Sequence, residues 1–580
     1  MRGQEPGGQP MVEKQFLVVI ETQRVKGYLF ASPIMRETRG ASLLLDTLNR
    51  VETGKLLAAY TEAEVESVYL GGGSGRVLFA TRHQADVFAQ QVQALYQQRT
   101  ANARVSVEVV VPQAGESFPV WMARGVGESQ KNKLARVEAI PLIAGRWIRP
   151  CSSCGLEPAE DVRTDVQGTH YLCVACLKKR RTVATFYREV KRNWDVDVAL
   201  PPVHRLQREW PNFILTTLAE AVQQRFGTHI RTRLPQDLNQ IAHCSTPRNY
   251  IGFIYADGNR MGETIKTMGD RFPDDAEAKQ AYKAFSAIID QATREAAVQA
   301  VLECGVTDSR AKTRRLSHFV PAEFVLAGGD DLILVVPAHV ALHVTARFLT
   351  LFQEQTRRLQ ECWVTQKRLA RCFAPCGLTT SAGVVLAHAS YPAWQLLDLA
   401  GELMKLAKRK AATLARCNHY TGTLDFAVLH TPGSERIKQR RQAEYVYEDT
   451  ARKLTIQRTE RPYTAEELAR LLTQIQALKD TAVPRSKLKA LYPVLFQSVM
   501  QAQFEAQHIK ERLQVTGALQ IAAVHDLVSA LERFPFREQT ITPADRQERT
   551  VWSTPLSEII ELYDFVQPAR VTTSGEVAHA

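Results

Sequence analysis

Two stretches of the chain share one rhythm of short apolar runs and polar breaks. In the later stretch, the apolar run Tyr250-Ile-Gly-Phe-Ile-Tyr-Ala256 ends in Asp257-Gly258-Asn259. Further on, Phe324-Val-Leu-Ala and Leu332-Ile-Leu-Val-Val336 flank Gly328, Gly329, Asp330 and Asp331. Val, Leu and Ile favour strands, and two turn glycines allow the positive φ of a tight hairpin. A helix is expected over roughly Asp274 to Glu303, a strand at Leu378 to Leu386 and an amphipathic helix from Trp394 to Lys410. This order reads as a β-α-β-β-α-β unit, whose first strand lies antiparallel to its third, so that Asp257 neighbours the Asp330-Asp331 tip.

The earlier stretch repeats the order: a strand at Gln15 to Glu21, a helical segment from Pro33 to Asn49, a hairpin from Ser67 to Ala80, a helix from about His83 to Tyr96 and a strand at Val105 to Val111. Laid on the later hairpin, Gly72 and Gly73 fall on Gly328 and Gly329, Ser74 and Gly75 on Asp330 and Asp331, and Gln23 on Asp257. Two copies of one fold are therefore expected, with acid kept only in the second. Gly71 to Gly75 also suit phosphate contact through backbone amides, though a hairpin needs the same glycines.

Between the copies, a helix is expected through Phe213 to Val222. Thr307 to Ser317 reads as a basic loop and Thr423 to Leu429 as a closing strand. Arg436 to Arg441 reads as a linker or exposed helix. Beyond it, helices are expected at Thr464 to Leu478, where Glu467 completes a capping box, at Arg485 to about Val515 and at Ala518 to Arg533. They form a carboxyl-terminal helical bundle.

With 580 residues, 45% of them hydrophobic, the chain is globular and long enough for several domains. It lacks any apolar run of about 18 residues and any signal-peptide centre near its start, so a cytoplasmic protein with no membrane contact is expected. The net charge of +12 suits an anionic partner such as nucleic acid or nucleotides. Lys178 to Arg181, followed by Arg188, Lys191 and Arg192, could track a phosphate backbone or form a solvated helix face.

Ten cysteines suit metal binding better than a disulfide framework. Cys151-Ser-Ser-Cys154 and Cys173-Val-Ala-Cys176 are two CxxC knuckles at a spacing that closes a tetrahedral Zn2+ site, and four protein ligands make it structural. Cys372 and Cys376 have no second pair and read as ordinary thiols. His525-Asp526 invites comparison with metal-dependent phosphohydrolases but lacks companion histidines. The three aspartates fit either an ordinary acidic turn or a site for hard divalent cations, which relieve the repulsion of crowded carboxylates.

Tyr255-Ala-Asp-Gly-Asn259 after a strand, Gly328-Gly-Asp-Asp331 in a hairpin, then Ser381-Ala-Gly383 and Ala407-Lys408 on a helix resemble the catalytic palm of the large polymerase-like subunit of type III CRISPR effector complexes. The resemblance extends in order along most of the chain, and more distantly to diguanylate cyclases and class III nucleotide cyclases. It implies an α+β fold of two ferredoxin-like palm domains, a zinc module between them and a carboxyl-terminal helical bundle. The expected bounds are a disordered tail at 1–11, a degenerate first palm at 12–125, a helical module with the four-cysteine zinc site at 126–245, a catalytic second palm at 246–430, a helical domain at 431–571 and a tail at 572–580.

It implies further that ATP is converted to cyclic oligoadenylate with release of pyrophosphate. Asp257, Asp330 and Asp331 would hold two Mg2+ or Mn2+ ions as catalytic residues. Gly258, Asn259, Gly328, Gly329, Ser381 and Lys408 would line the nucleotide, with Lys408 on its β or γ oxygens. Guide RNA and sister subunits are the implied partners, and self-association through the palms is a further expectation. The first strand begins near Gln15, leaving no room for the nuclease domain that often precedes the first palm, so no nuclease activity is expected. Two alternatives stand beside this reading: a non-catalytic RNA-binding scaffold, and a stand-alone cyclase making another nucleotide signal.

Overall fold

The first apolar repeat folds into a sheet of β1 (Phe16–Gln23), β2 (Val65–Gly71), β3 (Ser74–Phe79) and β4 (Arg104–Val110), in the order β2-β3-β1-β4 with every pair antiparallel. The computed structural model describes residues 16–135, 148–165, 168–186, 198–199, 214–227, 231–272, 274–304, 317–363, 377–430, 437–449, 453–480, 485–497, 499–515, 537–541 and 549–567. Both expected tails, the basic loop up to residue 316, Arg188, Lys191, Arg192, Cys372, Cys376 and the expected helix at 518–533 with His525 lie outside the described residues. Alternate side chains of β1 enter two cores. Leu17 and Val19 meet Phe118 and Trp121 of the helix Phe118–Ala135, while Val18 and Ile20 meet leucines of the helix Met35–Asp46 and Phe88 of the helix Arg82–Thr100. Phe118–Ala135 thus covers the first sheet across the boundary expected at 125.

After the first sheet come a hairpin of β5 (Asp161–Asp165) and β6 (Gly168–Leu172), the helix Val174–Phe186, and the short strands β7 (Val198–Ala199) and β8 (Arg231–Leu234). The second repeat supplies β9 (Tyr250–Gly258), β10 (Ser317–Phe319), β11 (Glu323–Gly328), β12 (Asp331–Pro337), β13 (Thr380–His388) and β14 (Thr423–Val428). β10 joins β8 and β7 in a small sheet. The helices Asp275–Glu303, Ala338–Trp363 and Ala393–Arg416 pack around the second sheet. Asp274 caps the first of these by accepting a bond from Glu277 N. The helix Ala338–Trp363, between the third and fourth strands, is required by the βαββαβ order but is not among the elements expected one by one from sequence.

The carboxyl-terminal region adds β15 (Val446–Asp449), β16 (Leu454–Gln457), β17 (Tyr463–Thr464), β18 (Arg537–Ile541) and β19 (Arg549–Ser553). β17 extends the second sheet, whose order is β11-β12-β9-β13-β14-β17, and the other four form a sheet of their own. Helices occur at Ala465–Lys479, Arg485–Gln497 and Val499–Val515, and the Thr464–Glu467 capping box is present. This region therefore mixes helices with a four-stranded sheet, because strands of four or five residues are too short to show a period of two.

The two palms share more than strand order. Gly71 faces Ser74 across the first hairpin as Gly328 faces Asp331 across the second, and each hairpin has a bulge at the matching position, Val68 and Val325. Gly72 and Gly329 take matching left-handed conformations, φ 57° and φ 59°. Glu21 pairs with Ser74 and Ser106, and Asp257 pairs with Ser381; one further step of the β9–β12 register sets Asp257 across from Asp331. Arg24 and Arg260 both follow in left-handed conformation at a helix start.

This corrects the superposition read from sequence. Gly73 and Ser74 stand at the positions of Asp330 and Asp331, and Glu21, not Gln23, stands at that of Asp257. The first palm keeps one acid, and Arg76 neutralises it at 2.5 Å from Glu21.

The repeats face each other reciprocally: the helix Met35–Asp46 of the first lies on β11, and the helix Asp275–Glu303 of the second lies on β2. Arg39 forms a buried two-point pair with Glu323 across this junction. The hairpin tips touch, since a Cβ on Gly72 would sit 3.1 Å from Gly329 N and one on Gly328 3.2 Å from Gly72 Cα.

Candidate active site and metal centre

The second hairpin places acid where the sequence predicts it. β12 continues from Asp331, Asp330 is in the turn, and Asp257 occupies the adjoining end of β9. Burial, followed by repulsion from Asp257 and Asp331, pushes the Asp330 carboxyl up to about 7. Burial also lifts Asp331 to about 6, against the pull of Lys26. Asp331 Oδ1 is buried and has no hydrogen-bond partner among the described residues.

Two ammonium groups answer these charges. Lys408 Nζ, on the helix Ala393–Arg416, lies 2.9 Å from Asp257 Oδ2. Lys26 Nζ lies 3.9 Å from Asp331 Oδ1, hydrogen-bonds the Tyr255 hydroxyl and sits 3.9 Å from the centre of that ring. Lys26 belongs to the first palm, so the site is completed across the junction. Sequence reasoning missed it because a lone lysine after β1 carries no motif. Lys410, two positions further along the Lys408 helix, turns instead to Glu467, 2.5 Å away, and to Pro462 O.

The remaining expected residues divide by geometry. A Cβ on Gly258 would lie 2.8 Å from Asp330 Oδ2, so this glycine makes room for the carboxylate of the facing turn. Asn259 and Ser381 are buried. Ser381 Oγ donates to Asn259 Oδ1 at 2.7 Å and shares a hydrogen bond with Thr423 Oγ1, which donates to Ala407 O beside Lys408. Both residues brace the β9 end and the Lys408 helix. Gly328 ends β11 opposite Asp331, and Gly329 shares the turn itself with Asp330.

Three carboxylates, one with a buried oxygen that accepts no hydrogen bond, suit hard divalent ions, which take oxygen ligands and remove the cost of crowded negative charge. They are less tightly gathered than the cysteines: among the described residues, only the four cysteine sulfurs form a potential ligand set lying wholly within 4.8 Å. Because protons and metal compete for these oxygens, Mn2+ affinity is expected to rise between about pH 6 and about pH 8, with proton release on binding. Titration by electron paramagnetic resonance checks this, and a pH-independent affinity would contradict it.

In the module between the palms, Cys151 and Cys154 precede β5, and Cys173 and Cys176 lie at the start of the helix after β6. A Zn–S bond of about 2.3 Å in a tetrahedron requires sulfurs about 3.8 Å apart. Cys154 Sγ and Cys173 Sγ are 3.8 Å apart, so the residues fit Zn2+. Amides of Ser153, Leu156 and Cys176 donate to the sulfurs of Cys151, Cys154 and Cys173, which stabilises thiolates. Hydrogen bonds from Cys173 and Cys176 hold the Cys154 thiol far below its ordinary range, whereas those two are raised by sharing protons with Cys154.

The adjacent basic run is largely engaged inside the protein. Lys179 is buried and donates to Tyr28 O at 2.7 Å, Arg180 pairs with Glu37 at 2.5 Å, and Lys178 reaches Gln98 O. These residues dock the module onto the first palm. In the helix Ile437–Tyr445, which takes up the expected linker or exposed helix, Arg441 is bound to Asp425 and to Phe426 O.

Fold and site together define a palm of the polymerase and nucleotide-cyclase type. Residues 250–414 match the family model described as Cas10/Cmr2, second palm domain, and this stretch is a Cas10-like palm. Among solved structures, the chain is similar to a Csm1-Csm4 cassette in complex with pppApA, at 13% identity over 96% of this chain and 70% of that chain, TM-score 0.50. It is also similar to the cassette in complex with cA4 (13% identity, 90% and 68% covered, TM-score 0.48) and to Csm1 in T. onnurineus (12% identity, 96% and 70% covered, TM-score 0.48). No curated protein matches the chain. No helix among the described residues is long and apolar enough to cross a membrane.

Proposed function

We propose that this chain is a nucleotidyltransferase that condenses ATP into cyclic oligoadenylate with release of pyrophosphate, as a subunit of a type III CRISPR effector complex. The observation that carries the reading is the convergence of Asp257, Asp330 and Asp331 at facing strand ends in the second palm, flanked by Lys408 and Lys26. The likeness in fold to a Csm1-Csm4 cassette solved with pppApA supports ATP as the substrate and sister subunits as partners. A scaffold without catalysis would have no use for a half-buried, mutually repelling carboxylate set.

In this mechanism a ribose hydroxyl of one ATP attacks the α-phosphorus of another, the new phosphodiester forms, and the α–β bridge breaks to release pyrophosphate. Divalent cations, when bound, neutralise the phosphates and activate the attacking hydroxyl. Asp257, Asp330 and Asp331 would hold them, and the tight turn keeps the three carboxylates in fixed relation. Lys408 is placed to take up negative charge on the β or γ oxygens, and Lys26 balances Asp331 from the opposite palm. The buried Asn259–Ser381–Thr423 chain keeps the strand end and the Lys408 helix in register.

Incubating the protein, with the subunits and RNA that co-purify, with each labelled triphosphate and Mg2+ or Mn2+ tests the substrate. ATP alone should yield cyclic products. The Lys26 contact gives a narrower expectation: Lys26→Gln should lower the rate about tenfold, the worth of roughly 1.4 kcal/mol. Glu21→Gln, at the matching but Arg76-neutralised position of the first palm, should stay within about twofold. A Glu21 effect as large as that of Lys26 would show that the first palm holds a working site of its own.

A further inference from the structure

The turn that carries Asp330 is gripped from outside the carboxylate set. Thr293 Oγ1, on the helix Asp275–Glu303, donates to Gly329 O at 2.7 Å. Asp290, one turn earlier on that helix, accepts from Gly329 N at 3.4 Å. Both polar atoms of one turn residue are thus tied to one rigid helix. Asp290 is held in turn by Arg50 at 2.5 Å and by Arg294 at 3.1 Å.

Arg50 comes from the first palm, from the π-helical turn Thr47–Glu52, and also binds Asp46 at 2.8 Å. Its guanidinium lies against the other hairpin: a Cβ on Gly71 would fall 2.8 Å from Arg50 Nη1. The side chain is 9% exposed, so a desolvated cation lies between the first hairpin and Asp290, which in turn holds Gly329. A surface ion pair would do little here, but a buried fork bonded to two carboxylates fixes direction as well as charge.

We infer that Arg50, Asp290 and Thr293 are positioning residues that set the Asp330-Asp331 turn for metal binding, with the first palm acting on the second through Arg50. The inference rests on the metal-dependent reading of the second palm. Metal ligands must be held to within a fraction of an ångström, and two adjacent carboxylates that repel each other will not hold that geometry by themselves. The grip on Gly329 supplies the constraint at the residue just before Asp330. Without a side chain of its own, Gly329 can be held only through its backbone.

Arg50→Gln takes the cation from Asp46 and one of the two cations from Asp290 and threatens the fold, so the test relies on Thr293→Val, which removes only the hydroxyl, and on Arg50→Lys, which keeps the charge but loses the fork. For each variant of the full chain, Mn2+ affinity is measured by electron paramagnetic resonance without nucleotide, alongside kcat and KM for ATP and the melting temperature. Thr293→Val should bind Mn2+ about tenfold more weakly and lose about tenfold or more in kcat, with KM within about twofold and melting nearly unchanged. Arg50→Lys should shift the same quantities in the same direction. Parent-like Mn2+ affinity and kcat in both folded variants would overturn the positioning role while leaving the metal reading intact. Absence of Mn2+ binding in the parent would overturn both.

Discussion

Replacing Asp330 and Asp331 together with alanine is expected to lower ATP-dependent pyrophosphate release by at least about a hundredfold, and Asp257→Ala alone to do the same. Loss of a shared metal ligand removes several kcal/mol of transition-state stabilisation, and about 2.7 kcal/mol already corresponds to a hundredfold. The loss should not come from unfolding. The folded-state values of about 7 for Asp330 and about 6 for Asp331 lie above the ordinary carboxylate value of about 3.9. A carboxyl raised in the folded state costs stability as pH rises from about 4 through its folded value, because the folded protein must then bury the charge. At about pH 8 without divalent metal the double variant should melt no lower than the parent. A clear drop in melting temperature would show that the carboxylates hold the hairpin together and would remove the case for a site built at the expense of stability.

Changing Cys151 and Cys154 to serine should abolish stoichiometric zinc and destabilise the region between the palms. Binding of structural zinc contributes on the order of 10 kcal/mol to the folding of small modules, so the loss exceeds any single contact in this region. The effect should spread beyond the knuckles. Lys179 and Arg180 dock directly after Cys176, and Gly40 lets the helix Met35–Asp46 come so close that a Cβ there would lie 2.1 Å from Lys179 O. Elemental analysis and thermal melting check this together. Parent protein without zinc, or a double serine variant that keeps both zinc and stability, would contradict the assignment.

The acidic hairpin and the paired cysteine knuckles are legible in the sequence because each is local. Apolar runs around Gly328 to Asp331 specify strands and a turn, and CxxC spacing specifies a knuckle, without knowledge of distant partners. Glu21 was misplaced because the end of an apolar run does not reveal sheet register, which depends on pairing with Ser74 and Ser106. One signal was available: Glu21-Thr-Gln-Arg24 and Asp257-Gly-Asn-Arg260 share an acid three residues before an arginine. Lys26 and Arg50 could not be found this way, since each acts on a residue more than two hundred positions away. The same reason explains the basic run at Lys178 to Arg181: four cations in sequence suggest a surface for nucleic acid, but Glu37 and the carbonyls of Tyr28 and Gln98 engage three of them. Ser381 and Asn259 lie where a nucleotide contact was expected in sequence, yet pairing of β13 with β9 turns both into the interior.

ATP labelled separately at its α- and γ-phosphates, supplied to the assembly purified with its partner subunits and target RNA in Mg2+ or Mn2+, tests the central claim most directly. The account predicts that α-label enters phosphatase-resistant cyclic oligoadenylate, that γ-label leaves as pyrophosphate, and that both signals vanish in the Asp330→Ala, Asp331→Ala variant. Release of γ-label as orthophosphate with no α-label in phosphodiester, or turnover that survives the double substitution, would contradict it.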